Sequence, residues 1–292
     1  MTTSTNSVDL GLDAPRHKVF NSDEIHALIT LPLLNNSVAA TTATVIRPTK
    51  GHAVEIPVIT SDYTGTSGDY PGIVAEGGEV PIATAPKAEV LSIEHLKLAA
   101  RAEIPWEQLN GANFPTIGIY GDSLTRRLMN TVDKGFLDES KTSPFSGLGT
   151  YKKQAHAIEG QLQNLDMFLD AIQHAQELEA TITSFIMSPA TLTKLAKLKR
   201  TDTSQEPLLG TADAPGTMTI AGVQLKASKW CADNVIWAVP QDRFYLSLRE
   251  DVTLKFDEMA DFNRMTSGLL AYMRVGMGSI QPEALSRISI TE

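Results

Sequence analysis

The chain has 292 residues, 42% hydrophobic and 20% charged, with a formal net charge of −9 and one cysteine. That length and apolar share suffice for two modest domains or one elaborate one, and the negative charge excludes a protein that wraps nucleic acid non-specifically, which needs Lys and Arg against phosphates. The lone Cys231 excludes an intrachain disulfide framework and a cysteine zinc cage, no apolar run reaches the roughly 18 to 20 residues of a membrane span, and the polar start MTTSTNSVDLGLD is no signal peptide, so a soluble protein made in a reducing cytoplasm is expected.

Residues 1 to about 20 are polar and weakly patterned, the composition of an arm that orders only against a partner. Ser22 or Asp23 is placed to cap a short helix through Ile25, Leu28 and Ile29 that Pro32 limits. Thr41 to Val45 is β-branched and predicts a strand, and Ala53 to Ile59 predicts a second, with Pro57 marking an edge. Turn signals then crowd Thr60 to Pro86: Thr64-Gly65, Ser67-Gly68, Tyr70-Pro71-Gly72 and Gly77-Gly78. The charges of residues 61–86 are Asp62, Asp69, Glu76 and Glu79, with no Lys or Arg. Such a one-sign loop is either a solvated, aggregation-resistant tip or a surface matched to a basic partner. Glu76 and Glu79 have no His or Asp at ligand spacing, which disfavours a metal or acid/base pair.

The chain then runs into a long alternating strand. Leu96, Leu98, Ala100, Ala102 and Ile104 share one face and Lys97, Ala99, Arg101 and Glu103 the other, the period of a half-buried strand that stops at Pro105. Leu91 and Ile93 alternate in a register that does not continue past His95, so a bulge or bend is expected there. The whole stretch from Tyr70 to Trp106 predicts a bent hairpin projecting from its domain. A helix is expected from near Asp122, with Leu124, Leu128 and Val132 on one stripe, Met129 and Phe136 alongside, and Arg126 and Arg127 on its polar side. Those arginines are either an ordinary solvated face or the basic complement of the acidic hairpin.

Residues 139–156 read as a loop whose Gly147-Leu148-Gly149 is too short for a nucleotide fingerprint. Ile158, Leu162, Leu165, Leu169 and Ile172 recur at four- and three-residue steps and predict one long packed helix. His174 has no partner at i±4 and is taken as structural. Ile182 to Met187 predicts a strand, followed by a Ser188-Pro189 cap and a helix over Ala190 to Lys199. Thr217 to Leu225, Val235 to Val239, Phe244 to Leu248 and Val252 to Phe256 predict short strands, the last two as an antiparallel pair turning at Arg249-Glu250-Asp251. Met265 to Met277 is apolar enough for a central strand before Pro282-Glu283-Ala284-Leu285 closes the chain.

Catalytic chemistry finds no footing in these patterns. The six histidines show no HxxxH or HxH spacing. There is no G-x-S-x-G elbow and no P-loop, and Gly276-Met277-Gly278 lacks the third glycine of a dinucleotide motif. Cys231, beside Trp230, reads as a small buried filler. No catalytic, cofactor-binding or metal-binding residue is assigned, and no cofactor is expected.

The order of segments carries a resemblance. A strand ending in EIPV, a hairpin containing VAEGGEVP, a strand into EIPWEQL, the helix after GDSLTRRL, then MSPATLTKLAKLK, TMTIAGVQLKASKW, VPQDRFYLSLREDVTLKF and LAYMRVGMGSIQPEALSRI resemble a tailed-bacteriophage major capsid protein of the Hong Kong 97 type over residues 35–292. The resemblance implies an α+β fold with an N-terminal arm at 1–40 and an extended β-hairpin loop with flanking strands at 41–105. A peripheral domain with a long spine helix would take 106–156 and 241–273, and an α/β axial domain 157–240 and 274–292. It implies a structural protein, not an enzyme, that self-assembles as pentamers and hexamers into an icosahedral shell around a double-stranded DNA genome without binding it specifically. Such shells are assembled in the host cytoplasm, make no use of a membrane, and reside in the virion. The short arm implies a separate scaffold or none, and the resemblance leaves room for portal and decoration proteins. Asp62, Asp69, Glu76, Glu79, Arg126 and Arg127 are the expected contacts between subunits. Lys87 is the loop's one lysine and Asn263 its only suggested partner, so no Lys-Asn crosslinks are expected. An encapsulin-type nanocompartment is the alternative shell, and a soluble α/β enzyme the alternative class.

Overall fold

The computed structural model describes residues 37–49, 51–61, 64–65, 76–78, 83–84, 87–111, 116–140, 143–199, 209 and 218–291. The helix expected over Ser22 to Ile29 and the turn signals at Ser67-Gly68 and Tyr70-Pro71-Gly72 lie outside these residues.

The first described element is a helix where a strand was expected. Helix α1 spans Val38–Thr42, capped by Ser37, whose hydroxyl accepts from the Ala40 N–H. Strand β1 is only Thr44–Ile46. The cap satisfies a first-turn donor, and helical spacing buries Ala39 and Thr42; together these outweigh the β-preference of Thr41 and Thr42.

Strands β2, Ala53–Ser61, and β5, Lys87–Glu94, pair antiparallel in a two-stranded sheet of their own. Short β3, Thr64–Gly65, and β4, Ala83–Thr84, pair between them in sequence. Strand β6, Leu96–Pro105, alternates in burial and ends as expected. It joins a four-stranded sheet of order β1-β12-β13-β6, in which β12 is Phe244–Asp261 and β13 is Thr266–Ser279. The bend expected at His95 is therefore a change of sheet.

The pair expected at 244–256 is one long strand. Arg249-Glu250-Asp251 is absorbed as bulges in β12, because three charged residues supply neither glycine nor a positive φ for a tight turn, while a bulge keeps the ladder to β13. The real turn lies between β12 and β13 at 262–265, where Met265 has φ 49°. Helix α2, Trp106–Gly111, leads to α3, Thr116–Leu137, which starts before the expected Asp122. Its Leu128, Met129, Val132 and Phe136 are buried in one core with Leu246, Leu248, Ala271, Met273 and Val275 of the sheet.

A second, six-stranded sheet has order β7-β14-β11-β8-β10-β9. Its strands are β7 His156–Gly160, β8 Ser184–Met187, β9 Thr219–Ile220, β10 Val223–Ala227, β11 Val235–Val239 and β14 Ser286–Ile290. Helix α4, Asp166–Glu177, and α5, Pro189–Ala196, accompany it. Three expectations are corrected here. Only the second half of the long helix exists: Ile158 sits on β7, paired in parallel with β14, and Leu169 is 50% exposed while Phe168, Ala171 and Ala175 are buried. The helical spacing of Ile158, Leu162 and Leu165 is a coincidence across a strand and a turn. Thr217 to Leu225 is the β9–β10 hairpin, turning at Ala221-Gly222 with φ 49° and 82°, the left-handed pair that a two-residue hairpin turn requires. Strand β14 was not foreseen; its Ser286 and Ile288 alternate inward. The Ser188 cap and the Pro189 start of α5 are as expected.

Candidate functional site

The surfaces that reach outward are the candidate site. Among the described residues the β2–β5 ribbon is seated on the body at its base. Ile93 is 2% exposed, seated where a Cβ on Gly276 would lie 2.8 Å from its Cγ2 and one on Gly278 would lie 3.2 Å from its Cγ1. The glycine pair that fails as a dinucleotide motif is thus a socket for the hairpin. A Cβ at Gly276 would also lie 2.4 Å from the Glu94 carbonyl, so the strands pass too closely there for any side chain.

His95 pins the change of sheet. Its N–H donates to the His52 carbonyl at 3.0 Å and its Nδ1 donates to the same oxygen at 2.9 Å. Nε2 lies 2.8 Å from the Ser247 hydroxyl on β12, from which it accepts in the neutral ring. One side chain thereby ties both ribbon strands to the central sheet.

The segment after the arm is anchored by Asp133 of α3. Its Oδ1 accepts from the Ser37 hydroxyl at 2.7 Å and the Ala39 N–H at 3.0 Å. Burial raises the Asp133 pKa, and the hydrogen bonds from Ala39, Ser37 and Val38 partly offset it. Lys226 reaches from β10 to the end of α1, donating to the Thr41 carbonyl at 2.8 Å, and burial lowers its pKa.

Past the end of α3, Glu139 receives Arg287 of β14 through two hydrogen bonds, of 2.8 and 2.9 Å, and Lys152 at 3.5 Å. Burial alone would raise the Glu139 pKa, but the Arg287 bonds and charge, with Lys152, bring it below the usual value. This fork joins the two sheets' territories. Gly147 and Gly149 lie so near this point that a Cβ would be 2.2 Å from the Gly135 carbonyl and 2.0 Å from the Asp138 carbonyl. Their role is close packing against the end of α3, consistent with rejecting them as a nucleotide loop.

Of the residues expected to meet neighbours, Asp62, Asp69 and Glu79 lie outside the described residues. Glu76 sits in an exposed turn with Gly77, whose φ is 78°. Arg126 and Arg127 are exposed on the outer face of α3. Within one copy, Glu76 forms no ion pair with either arginine among the described residues. Sequence reasoning missed the Asp133 anchor, the His95 pin and the Glu139 fork, whose partners Ser37, Ser247 and Arg287 lie 96, 152 and 148 residues away in the chain. The bend at His95 and the glycine pair at 276 and 278 left a visible mark in the sequence, without their partners.

Chemical alternatives fare as follows among the described residues. No group of three or more His, Cys, Asp or Glu side chains is placed to hold a metal ion, and no helix is long and apolar enough to cross a membrane. His156 and His174 stack with centroids 3.9 Å apart, and His174 Nε2 donates to the Glu283 carbonyl at 3.2 Å. Cys231 is buried, as expected, and its thiol is pushed up to about 12, chiefly by burial.

Comparison with known proteins agrees with this distribution of features. No curated protein matches the chain. A solved structure titled as the capsid of an empty GTA particle computed with C5 symmetry is similar with a TM-score of 0.72 at 14% identity, over 88% of this chain and 90% of that one. Structures from Gordonia phage Cozz and Microbacterium phage Oxtober96 give TM-scores of 0.69 and 0.68 at 15% and 14% identity. They cover 88% and 87% of this chain, and 87% and 91% of their own. At such identities the likeness is one of fold, here a mixed α+β fold. The model of the phage capsid family matches residues 21–290. The chain belongs to the phage capsid family, as a structural protein of the shell.

Proposed function

We propose that this chain is a major capsid protein of the Hong Kong 97 type, assembling as pentamers and hexamers into an icosahedral shell around double-stranded DNA. The family match over residues 21–290 carries the reading. In this reading residues 1–40 are the arm, 41–105 the extended loop with its flanking strands, 106–156 with 241–273 the peripheral domain, and 157–240 with 274–292 the axial domain. The 22-residue helix α3 takes the part of the spine. The isolated β2–β5 ribbon supports the extended loop, since a two-stranded sheet is marginal alone and gains from a neighbour's surface.

The chain acts through shape and contact, not catalysis, in the virion, after assembly in the host cytoplasm with a separate scaffold or none. The acidic loop residues Asp62, Asp69, Glu76 and Glu79 meet Arg126 and Arg127 of a neighbour, setting register more than affinity. Reversing charge at Arg127→Glu should leave soluble capsomers and few shells; unchanged shells of unchanged heat resistance would remove that pairing. Electron microscopy of purified particles tests the whole reading. Closed shells with fivefold and sixfold clusters are expected. Particles filled with enzyme cargo would favour a nanocompartment, and the absence of any particle would sink assembly altogether.

A further inference from the structure

Helix α1 is a strap between two parts of the subunit. Its first turn is held by Asp133 of α3, the helix that shares a core with the four-stranded sheet, and its last residues by Lys226 of β10 in the six-stranded sheet. Every partner of these two charges is neutral. Asp133, 7% exposed, accepts from the Ser37 hydroxyl and from the backbone of Ala39 and Val38. Half-buried Lys226 donates to the Thr41 carbonyl at 2.8 Å and the Thr42 hydroxyl at 3.3 Å. Among the described residues neither charge has an opposite charge acting on it.

Hydrogen bonds to neutral groups replace only part of the water around a charge, so a charge buried without a counter-ion opposes the structure that buries it. Burial accordingly pushes the Asp133 carboxyl up and the Lys226 ammonium down, each toward its neutral form. The forces that keep α1 seated are slight. It has five residues, too few for a helix to stand alone, and its buried members are Ala39 and Thr42, flanked by buried Ser37 and Ala43. A short segment with so little apolar hold belongs to the low-stability end of a fold. Opening it returns both charges to water, while β8 and β11, buried along their whole length, stay closed.

We propose that α1 is a charge-loaded latch: the two buried charges that touch it weaken its seat, so that it opens as a unit and loosens the tie between α3 and β10 without unfolding either sheet. The proposal does not depend on the capsid reading, and its test uses the full-length chain in dilute solution at neutral pH. Asp133→Asn keeps an oxygen to accept from Ser37 and Ala39 and removes the charge. Lys226→Met keeps the apolar stem and removes the ammonium. Hydrogen exchange is followed at the Thr41 and Ala43 amides, which donate to the Ser37 and Ala39 carbonyls, with β8 and β11 as reference. Each variant should slow exchange in α1 about tenfold, the weight of one pKa unit, and the double variant should be slower than either, with the reference strands unchanged. An anchor that depends on its charges gives the opposite sign. Faster or unchanged exchange over α1 in either variant overturns the proposal, as does lost protection in β8 and β11.

Discussion

Glu139 and Arg287 illustrate how one pair of side chains can hold two parts of a subunit together. Their side chains are 16% and 14% exposed, so removing Arg287 leaves a largely buried carboxylate with only Lys152, at 3.5 Å, to offset it. Arg287→Ala should therefore cost about 3 kcal/mol in thermal or denaturant unfolding, the range for breaking such a pair. A change within 0.5 kcal/mol, about the scatter of surface substitutions, would contradict the role. Because the folded Glu139 pKa is lowered from 4.5, its contribution is present above that value and fades as pH falls through the folded value.

The stacked histidines act in a different window. Burial first, and then the His174 charge, lower the His156 pKa from 6.5, against the opposing pull of Asp170 and Glu177 on α4. The unfolded chain then binds the extra proton more readily, so stability is full above 6.5 and declines as pH falls through the folded value. His174→Phe keeps a stacking ring and removes one charge. It should flatten the fall in melting temperature between about pH 7 and 5; parallel curves for variant and wild type would refute the assignment. Neither pair was legible in sequence, because His156 and His174 lie 18 positions apart and Glu139 and Arg287 lie 148 apart.

At the level of elements, legibility followed the range of the forces that form them. Strand β6, strand β11 and the capped helix α5 were foreseen closely, since alternation and capping are local signals. The errors arose where tertiary pairing overrode local pattern. β7 lies in a sequence with helical spacing because β14 offers it a parallel partner, and β12 runs through a charged trio because β13 supplies a continuous ladder. Within the candidate site, the hairpin and its bend were readable from period and glycine content, but the socket was not. Gly276 looked like half a nucleotide motif until Ile93 was seen against it. Gly276→Val should push the ribbon off its base by overpacking, at a cost of about 1 to 3 kcal/mol. Hydrogen exchange should quicken at residues 53–61 and 87–94 while β8 and β11 keep their protection. Uniform exchange, or none faster, would argue that the ribbon is held by something other than its socket.

For the whole molecule, the family and the capsid role were legible because the segment order survives where residue identity does not; three of the solved structures it resembles share only 14% or 15% of residues. Lys87, on strand β5 of the ribbon, and Asn263, the partner weighed for it, are both exposed. Shells boiled in denaturant should run as a single band of subunit mass, because this loop is expected to hold neighbours by shape, strand pairing and charge. A ladder of covalent multimers would reverse that expectation.

The pin at His95 also has a mechanical consequence. Strand β2 has nine residues, a rod of about 30 Å, fixed at one end by an imidazole and a buried isoleucine. A rotation of about 10° about that end sweeps the far end by about 5 Å, one strand spacing. The ribbon is a lever: atomic adjustments at its fulcrum become displacements as wide as a strand at the rim of the subunit, so the spacing of neighbours in a shell can be tuned without disturbing either core.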